Sequence, residues 1–83
     1  MRAFLHGVRR VDMMDQQTGR PVRGFTCFIS YPSEGVQGEE TERKFISDEI
    51  VASSAWSPEV GKSVMIDFTP KGKVSAISTV REK

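Results

Sequence analysis

The feature that most constrains the fold of this chain is a run of strictly alternating side chains. Between positions 25 and 31 an apolar residue stands at every second position, namely Phe25, Cys27, Ile29 and Tyr31. A period of two places successive side chains on opposite faces of a strand, so the run predicts a β-strand with one face on a core. We expect this strand to cover residues 22–31.

Four other segments have the alternation or the β-branched composition of strands, and turn residues separate them. These segments are residues 2–13, 41–47, 63–69 and 73–80. Only residues 48–56 have helical spacing; Asp48 would cap one or two turns there, but an extended connection fits equally well. The pattern predicts an all-β fold, a five-stranded antiparallel OB-like barrel with long hairpins, because closure removes exposed sheet edges.

The length and composition of the chain indicate one small domain. A chain of 83 residues buries only about 60% of its unfolded surface, so we expect a single domain over residues 1–83. Its apolar runs are too short to span a membrane, and the first ten residues lack the apolar core of a signal peptide. A cytoplasmic protein without membrane contact is expected. The single cysteine, Cys27, excludes an internal disulfide and predicts a small buried side chain.

The chain lacks the residue combinations that catalysis and metal binding require. A catalytic site needs a nucleophile with a base, or a metal with three protein ligands. The only histidine, His6, has no second histidine or cysteine at metal-binding spacing. The acidic residues near 34–42 lie on a loop without a rigid frame that would shift their pKa values. The sequence therefore predicts no enzyme, no cofactor, no metal site and no small-molecule substrate.

Charge is distributed unevenly along the chain, although the formal net charge is only +1. Residues 1–24 and residues 61–83 each hold five basic and two acidic side chains, whereas residues 25–60 hold two basic and seven acidic ones. A fold that brings the two ends together would have one basic face and one acidic face. Such asymmetry matters more than the net charge when partners are considered.

Arginines supply the first candidate binding residues. Arg9 and Arg10 end the first predicted strand, while Arg20 and Arg23 begin the second, so a hairpin would bring all of them to one end of the sheet. Arginine binds phosphate through two parallel hydrogen bonds and also stacks on bases. The pattern predicts a basic finger that contacts a polyanion; a solvated turn is the alternative.

Aromatic and lysine side chains extend this candidate site. Phe28 has the outward parity of its strand, and a ring beside arginines can stack on bases for about 1–3 kcal/mol per base. Packing beneath a loop or in a subunit interface is the alternative for Phe28. Tyr31 would lie at the edge of the same groove, or at the rim of the core. Lys71 and Lys73 flank a glycine in a tight turn and would continue a phosphate track.

The order of these features resembles the small single-stranded DNA-binding, helix-destabilising proteins of filamentous phages and related rolling-circle replicons. The shared features span most of residues 2–80: a basic first strand, a hairpin with Gly19-Arg20-Pro21, a cysteine-containing apolar strand, and a Pro58-to-Gly61 approach to the fourth strand. The resemblance implies an OB-like barrel, a two-fold homodimer, and coating of single-stranded DNA without sequence preference during replication.

The resemblance also assigns individual residues. It places Arg20 at the tip of a DNA-binding wing, Arg9 and Arg10 before that wing, and Lys44 as the basic residue of the third strand. Val22 departs from the family, which has an aromatic residue after the proline. We therefore expect a protein that binds and protects single-stranded DNA, or RNA. The alternative is a non-enzymatic protein-interaction module of a phage or mobile element that uses its acidic loop and exposed aromatic surface.

Overall fold

The computed structural model describes residues 1–80 as five strands and one short helix. The elements are β1 (Arg2–Met14), β2 (Pro21–Tyr31), β3 (Glu40–Ser47), α1 (Asp48–Ser53), β4 (Ser63–Phe68) and β5 (Val74–Thr79). Each strand boundary lies within one residue of its predicted position. The all-β prediction is confirmed. Among residues 1–80, no helix is both long enough and apolar enough to cross a membrane.

All strands belong to one antiparallel sheet with the order β3-β2-β1-β4-β5. β1 and β2 pair from Phe4 opposite Ser30 to Met14 opposite Pro21, and they form the long hairpin that the sequence predicts. β3 accompanies β2 only as far as Gly24, and β4 pairs with β1 only over its first residues. The far end of the hairpin is therefore a two-stranded ribbon that extends beyond the rest of the sheet.

The predicted barrel is wrong, because the sheet stays open. Within residues 1–80, β3 pairs only with β2, and β5 pairs only with β4. At β5 the segment after α1 occupies the place of a closing strand. The backbone N–H of Ile77 donates to Ser54 Oγ at 3.2 Å, and Trp56 Nε1 donates to Thr79 Oγ1 at 3.1 Å. An edge that is bonded to these side chains cannot form a regular ladder with β3.

The opposite edge of the sheet, β3, has a different character. Half of its eight residues are charged, namely Glu40, Glu42, Arg43 and Lys44. Charged side chains on an edge strand oppose its pairing with another strand. This composition is consistent with the open edge that the structure shows.

The core lies on one face of the sheet, which we call the inner face. It contains Trp56 and side chains from every strand: Ala3, Leu5, Cys27, Ile29, Ile46, Val64, Ile66 and Ile77. The predicted inward alternation of β2 is confirmed, because Cys27 and Ile29 are buried while Phe25 and Tyr31 pack against the core. Burial raises the pKa of the Cys27 thiol to about 11.

A β-bulge at His6 changes which side chains of β1 face the core. The register with β2 shifts at this residue, so Leu5 and Val8 both face inward although they are three positions apart. Simple alternation predicts Leu5, Val11 and Met13 on one face, and this prediction is wrong. Because of the extra residue, Val11 and Met13 lie on the opposite, outer face.

Helix α1 follows β3 without a loop. The N-cap is Ser47, whose Oγ accepts a hydrogen bond from the N–H of Ile50 at 3.4 Å, so the predicted cap at Asp48 is displaced by one residue. Asp48 and Glu49 lie in the first turn, where negative charge is favoured by the helix dipole. This geometry places the carboxylate of Asp48 beside the β1–β2 hairpin.

Candidate nucleic-acid interface

The structure divides the predicted binding residues among three locations. The outer face of the sheet holds Arg9 and Phe28. The inner-face positions of β1, β2 and β3 hold Arg10, Arg23, Tyr31 and Lys44, which we call the inner rim. Exposed turns and their flanks hold Arg20, Lys71 and Lys73. The four arginines of the predicted basic finger do not share one face, because Arg9 and Arg10 are neighbours in a strand and point to opposite faces.

Arg10 of the inner rim is bound by a carboxylate of the protein itself. Its two terminal nitrogens donate to the two carboxylate oxygens of Asp48 at 2.6 and 2.9 Å. The guanidinium also lies over Phe25, with Cζ 5.1 Å from the ring centroid. The hydrogen bond to Asp48 raises the pKa of Arg10, and the same bond lowers the pKa of Asp48. This bidentate pair occupies the donors that a phosphate would need.

The other two cations of the inner rim are also paired. Arg23 Nε lies 3.2 Å from Asp12 Oδ1, which is directly opposite on β1. Lys44 Nζ lies 2.9 Å from Glu42 Oε1 and 5.3 Å from the centroid of the Phe68 ring. Each cation of the inner rim therefore has a carboxylate partner within the chain.

Tyr31 of the inner rim lies in an acidic environment. Its hydroxyl lies within hydrogen-bond distance of Glu40 Oε2, at 2.7 Å, and of Glu42 Oε2. The hydrogen bonds to Glu42 and Glu40 raise the pKa of Tyr31, and the bond from Tyr31, followed by that from Lys44, lowers the pKa of Glu42. Two carboxylates beside the phenol repel a phosphate, so this end of the inner rim is unsuited to nucleic acid.

The outer face of β1, β2 and β3 carries two neighbouring cross-strand rows. The first row is Arg9, Thr26 and Phe45; the second is Gly7, Phe28 and Arg43. We call these six residues the outer patch. From β1 to β3, the first row has the order cation, small residue, ring, and the second row has the order small residue, ring, cation. The guanidinium of Arg9 consequently lies over the ring of Phe28, with Cζ 5.6 Å from the ring centroid.

A glycine lies beside each ring of the outer patch, but only Gly24 leaves no room for a side chain. Gly7 stands opposite Phe28, and a Cβ at Gly7 would lie 3.9 Å from Phe28 Cδ2. Gly24 lies beneath the ring of Phe45, where a Cβ would be only 2.8 Å from Cζ of that ring and 2.2 Å from the carbonyl oxygen of Ile46. Phe45 is 43% exposed. Because Gly24 has no side chain, the Phe45 ring can lie against the backbone of β2.

The charge of the outer face is entirely positive along these three strands. Outward positions of β1, β2 and β3 hold no Asp or Glu, because Asp12, Glu40 and Glu42 all have inward parity. Arg9 and Arg43 form no ion pair with any residue of the described chain, 1–80. The outer patch thus combines two available guanidinium groups with two aromatic rings.

Sequence reasoning missed half of this arrangement, Arg43 and Phe45. The signal was the adjacent pair Phe45-Ile46 in the third strand: one of two neighbouring large apolar residues must face outward. Phe4 and His6 were also missed as neighbours of the patch. Their rings meet edge to face with centroids 4.7 Å apart, and His6 Nε2 lies 2.6 Å from Ser30 Oγ.

The remaining predicted cations lie on two hairpin turns. Arg20 follows Gly19, which has a positive φ of 70°, and its side chain has no partner within residues 1–80. Lys71 and Lys73 are exposed beside Gly72 and are likewise unpaired in that part of the chain. Phe68, which precedes the second turn, lies beneath Lys44 of the inner rim. The lysine turn is therefore closer to the inner rim than to the outer patch.

No protein-family model, curated protein or solved structure matches this chain at a significant level. Among residues 1–80, no three His, Cys, Asp or Glu side chains are grouped so that they could hold a metal ion. The chemistry of the outer patch is the basis for a functional proposal.

Proposed function

We propose that the protein binds single-stranded DNA without sequence preference on the outer face of β1, β2 and β3. The observation that supports this proposal most directly is the outer patch, in which Arg9 and Arg43 alternate with Phe28 and Phe45 on a surface without carboxylates. Every base has a π-face, so stacking on aromatic rings is tolerant of sequence. Arginines beside such rings are placed to contact the phosphates between stacked bases.

The proposed site differs from the predicted one. It keeps Arg9 and Phe28, adds Arg43 and Phe45, and includes Arg20 as an unpaired cation at the tip of the hairpin. The inner rim is left out, because its cations are paired with Asp48, Asp12 and Glu42. The proposed role is non-enzymatic protection of single strands during replication, as the resemblance to phage helix-destabilising proteins implies.

A salt titration with matched arginine variants tests the proposal. Binding of labelled oligo-dT, measured by fluorescence anisotropy, should weaken log-linearly with salt, by about 0.7 units of slope for each phosphate contacted. Arg43→Ala should reduce the slope by about that amount and lower affinity severalfold. Arg23→Ala removes the same charge from the inner rim and should change neither quantity. Equal effects of the two variants would remove the outer patch from the proposal.

A protein-interaction module is the second candidate, and exposed apolar side chains favour it. Phe4, Phe45 and Met65 on the outer face are 37%, 43% and 41% exposed. Apolar exposure of this kind also suits a protein partner. Absence of binding to oligo-dT and oligo-U at low salt would favour this candidate. Tighter binding to oligo-U than to oligo-dT would instead change the proposed ligand to RNA.

A further inference from the structure

One long edge of the sheet has no partner. β4 pairs with β1 at Arg2–Phe4, and two backbone hydrogen bonds of Leu5, with Gly61 and Lys62, complete that contact. From residue 7 to residue 14, the backbone edge of β1 that faces away from β2 forms no hydrogen bond with the rest of the described chain, residues 1–80, although the side chain of Arg10 reaches Asp48 of α1. A two-stranded ribbon is marginally stable in water, so pairing with a further strand would stabilise this segment.

The register identifies the backbone groups that this edge presents. The N–H of Asp15 donates to the carbonyl of Arg20 at 2.8 Å, so the backbone of Asp15 points toward β2. Backbone directions alternate along an antiparallel strand, so the N–H and C=O of Met14 point away from β2. Pro21, opposite Met14, has no N–H to offer, which agrees with this direction. By the same alternation, the backbone N–H and C=O groups of four residues point away from β2, namely Val8, Arg10, Asp12 and Met14.

We propose that this edge pairs antiparallel with the same edge of a second copy, about a two-fold axis at Val11. Such an axis opposes each residue to the one at equal distance on the other side of Val11. Arg10 then faces Asp12 of the partner subunit, and Val8 faces Met14 of the partner subunit. Every residue whose backbone groups point away from β2 is then opposite such a residue of the second copy, which gives about eight backbone hydrogen bonds between the two chains.

Side-chain charge selects this register over its neighbours. An axis at Arg10 or at Asp12 would place a charged side chain directly opposite its own copy, which destabilises a strand pair. The axis at Val11 instead opposes valine to valine and twice places Arg10 opposite Asp12 of the partner subunit. These opposite charges would add to the pairs that Arg10 and Asp12 already form with Asp48 and Arg23. Met13 and Met14, which are 60% and 58% exposed in one chain, would be partly covered by the partner's ribbon.

The length of the open edge also fits this register. The partner's ribbon turns back at its own Asp15, which would stand opposite Gly7. Pairing with the β4 side of the sheet ends one position before the bulge, at Leu5. The incoming ribbon would therefore end where the protein's own sheet resumes. Two outer faces would then form one continuous surface on the same side of the dimer. The dimer does not depend on DNA binding, and its tests use no nucleic acid.

Cysteine cross-linking of the full chain tests the register. Val11→Cys should form a disulfide-linked dimer under mild oxidation, because residues at a non-hydrogen-bonded antiparallel position have Cα atoms about 4.5 Å apart. Met13→Cys is the matched control on the same face. Its two copies would lie four residues out of register, about 13 Å apart, which is too far for a disulfide. The native Cys27 is fully buried and should not react.

Cross-linking of Met13→Cys instead of Val11→Cys would overturn the register. Absence of cross-linking in both variants would overturn the interface itself. Either result would leave the DNA-binding proposal intact, since that proposal rests on the outer patch of a single chain.

Molar mass in solution provides the second test. Light scattering should give a mass approaching twice the 9.3 kDa of one chain. Asp12→Arg places two arginines opposite each other at two positions and should weaken the dimer about tenfold. Glu34→Arg makes the same change of charge on the exposed β2–β3 loop and should leave association unchanged. A one-chain mass up to millimolar concentration, or equal weakening by both variants, would contradict the proposed pairing.

Discussion

The two faces of β1, β2 and β3 differ in whether their basic side chains are paired with carboxylates. On the inner rim, Arg10, Arg23 and Lys44 each lie within 3.2 Å of a carboxylate oxygen. On the outer patch, Arg9 and Arg43 share a surface with aromatic rings, and no outward position of these strands holds an acid. The comparison shows that the number of basic residues is a poor measure of binding capacity. The face occupied by the neighbouring acids decides which cations are available.

The largest effect is expected at the glycine beneath the outer patch. A Cβ at Gly24 would lie 2.2 Å from the backbone oxygen of Ile46, so β2 and β3 must separate in Gly24→Ala. We expect a loss of about 2–3 kcal/mol in the free energy of unfolding. Gly7→Ala, whose Cβ would meet only ordinary contact at 3.9 Å, should change stability by less than about 0.5 kcal/mol.

Urea unfolding followed by the fluorescence of the single tryptophan measures both glycine variants, because Trp56 is buried in the core. Equal stabilities of the two variants would show that close packing between β2 and β3 does not set the position of Phe45.

The next largest effect is expected when an aromatic ring is removed from the outer face. Phe28→Leu removes the stacking surface but keeps an apolar side chain, so oligo-dT affinity should fall about tenfold. The salt slope should not change, since no cation is lost. Tyr31→Leu, which removes the ring from the inner rim in the same way, should alter affinity by less than about twofold if the outer patch is the site. A loss from Tyr31→Leu as large as that from Phe28→Leu would move the site to the other face.

A smaller effect is expected when an inner-rim cation is released. Asp48→Asn removes the negative charge that binds Arg10, yet Arg10 points away from the outer patch. The affinity for oligo-dT should therefore change by less than about twofold. A severalfold gain in anisotropy titrations would mean that the inner rim also takes part in binding.

The same variant has a defined pH dependence. Arg10 lowers the pKa of Asp48 from 3.8 in the folded state, so the ion pair stabilises the fold above that pH and its contribution is lost as the pH falls through the lower, folded value. Wild type should be the more stable protein near pH 7, and thermal unfolding of the two should converge under strongly acidic conditions. A difference that persists in acid would assign the stabilisation to something other than this ion pair.

The smallest effect concerns only the inner rim. Tyr31 is the single tyrosine, so tyrosinate absorbance reports one group. Its hydrogen bonds to Glu42 and Glu40 raise its pKa above the ordinary 10.0, and they stabilise the fold until the pH rises through that higher value. Glu40→Gln combined with Glu42→Gln should return the titration toward pH 10 without affecting DNA binding. An unchanged titration would show that these carboxylates do not act on the phenol.

Strand positions were predictable because local patterns determine them. The alternation of Phe25, Cys27, Ile29 and Tyr31 specified both the second strand and its inner face. The bulge at His6 was missed, although the adjacent Gly7 inside a strand pattern is a signal for one. One extra residue there moved Val11 to the outer face and placed Arg9 and Arg10 on faces that simple alternation from Leu5 does not give.

The candidate site was less predictable than the fold, because contacts distant in sequence define it. Arg10 and Asp48 are 38 positions apart, and nothing local to either residue indicates their pairing. Phe28 was placed correctly by parity alone. Its neighbours Arg43 and Arg9 depend on the register of three strands, which a single sequence does not specify.

The charged residues of β3 have a consequence for how many chains can associate. β3 forms one end of the sheet, and the ionised side chains along it resist the addition of a neighbouring strand. At the other end, Ile77 already donates its N–H to Ser54. Growth by strand addition is therefore blocked at both outer margins. A self-complementary contact elsewhere on the molecule would end with a closed pair of chains, and fibrous polymers would be disfavoured.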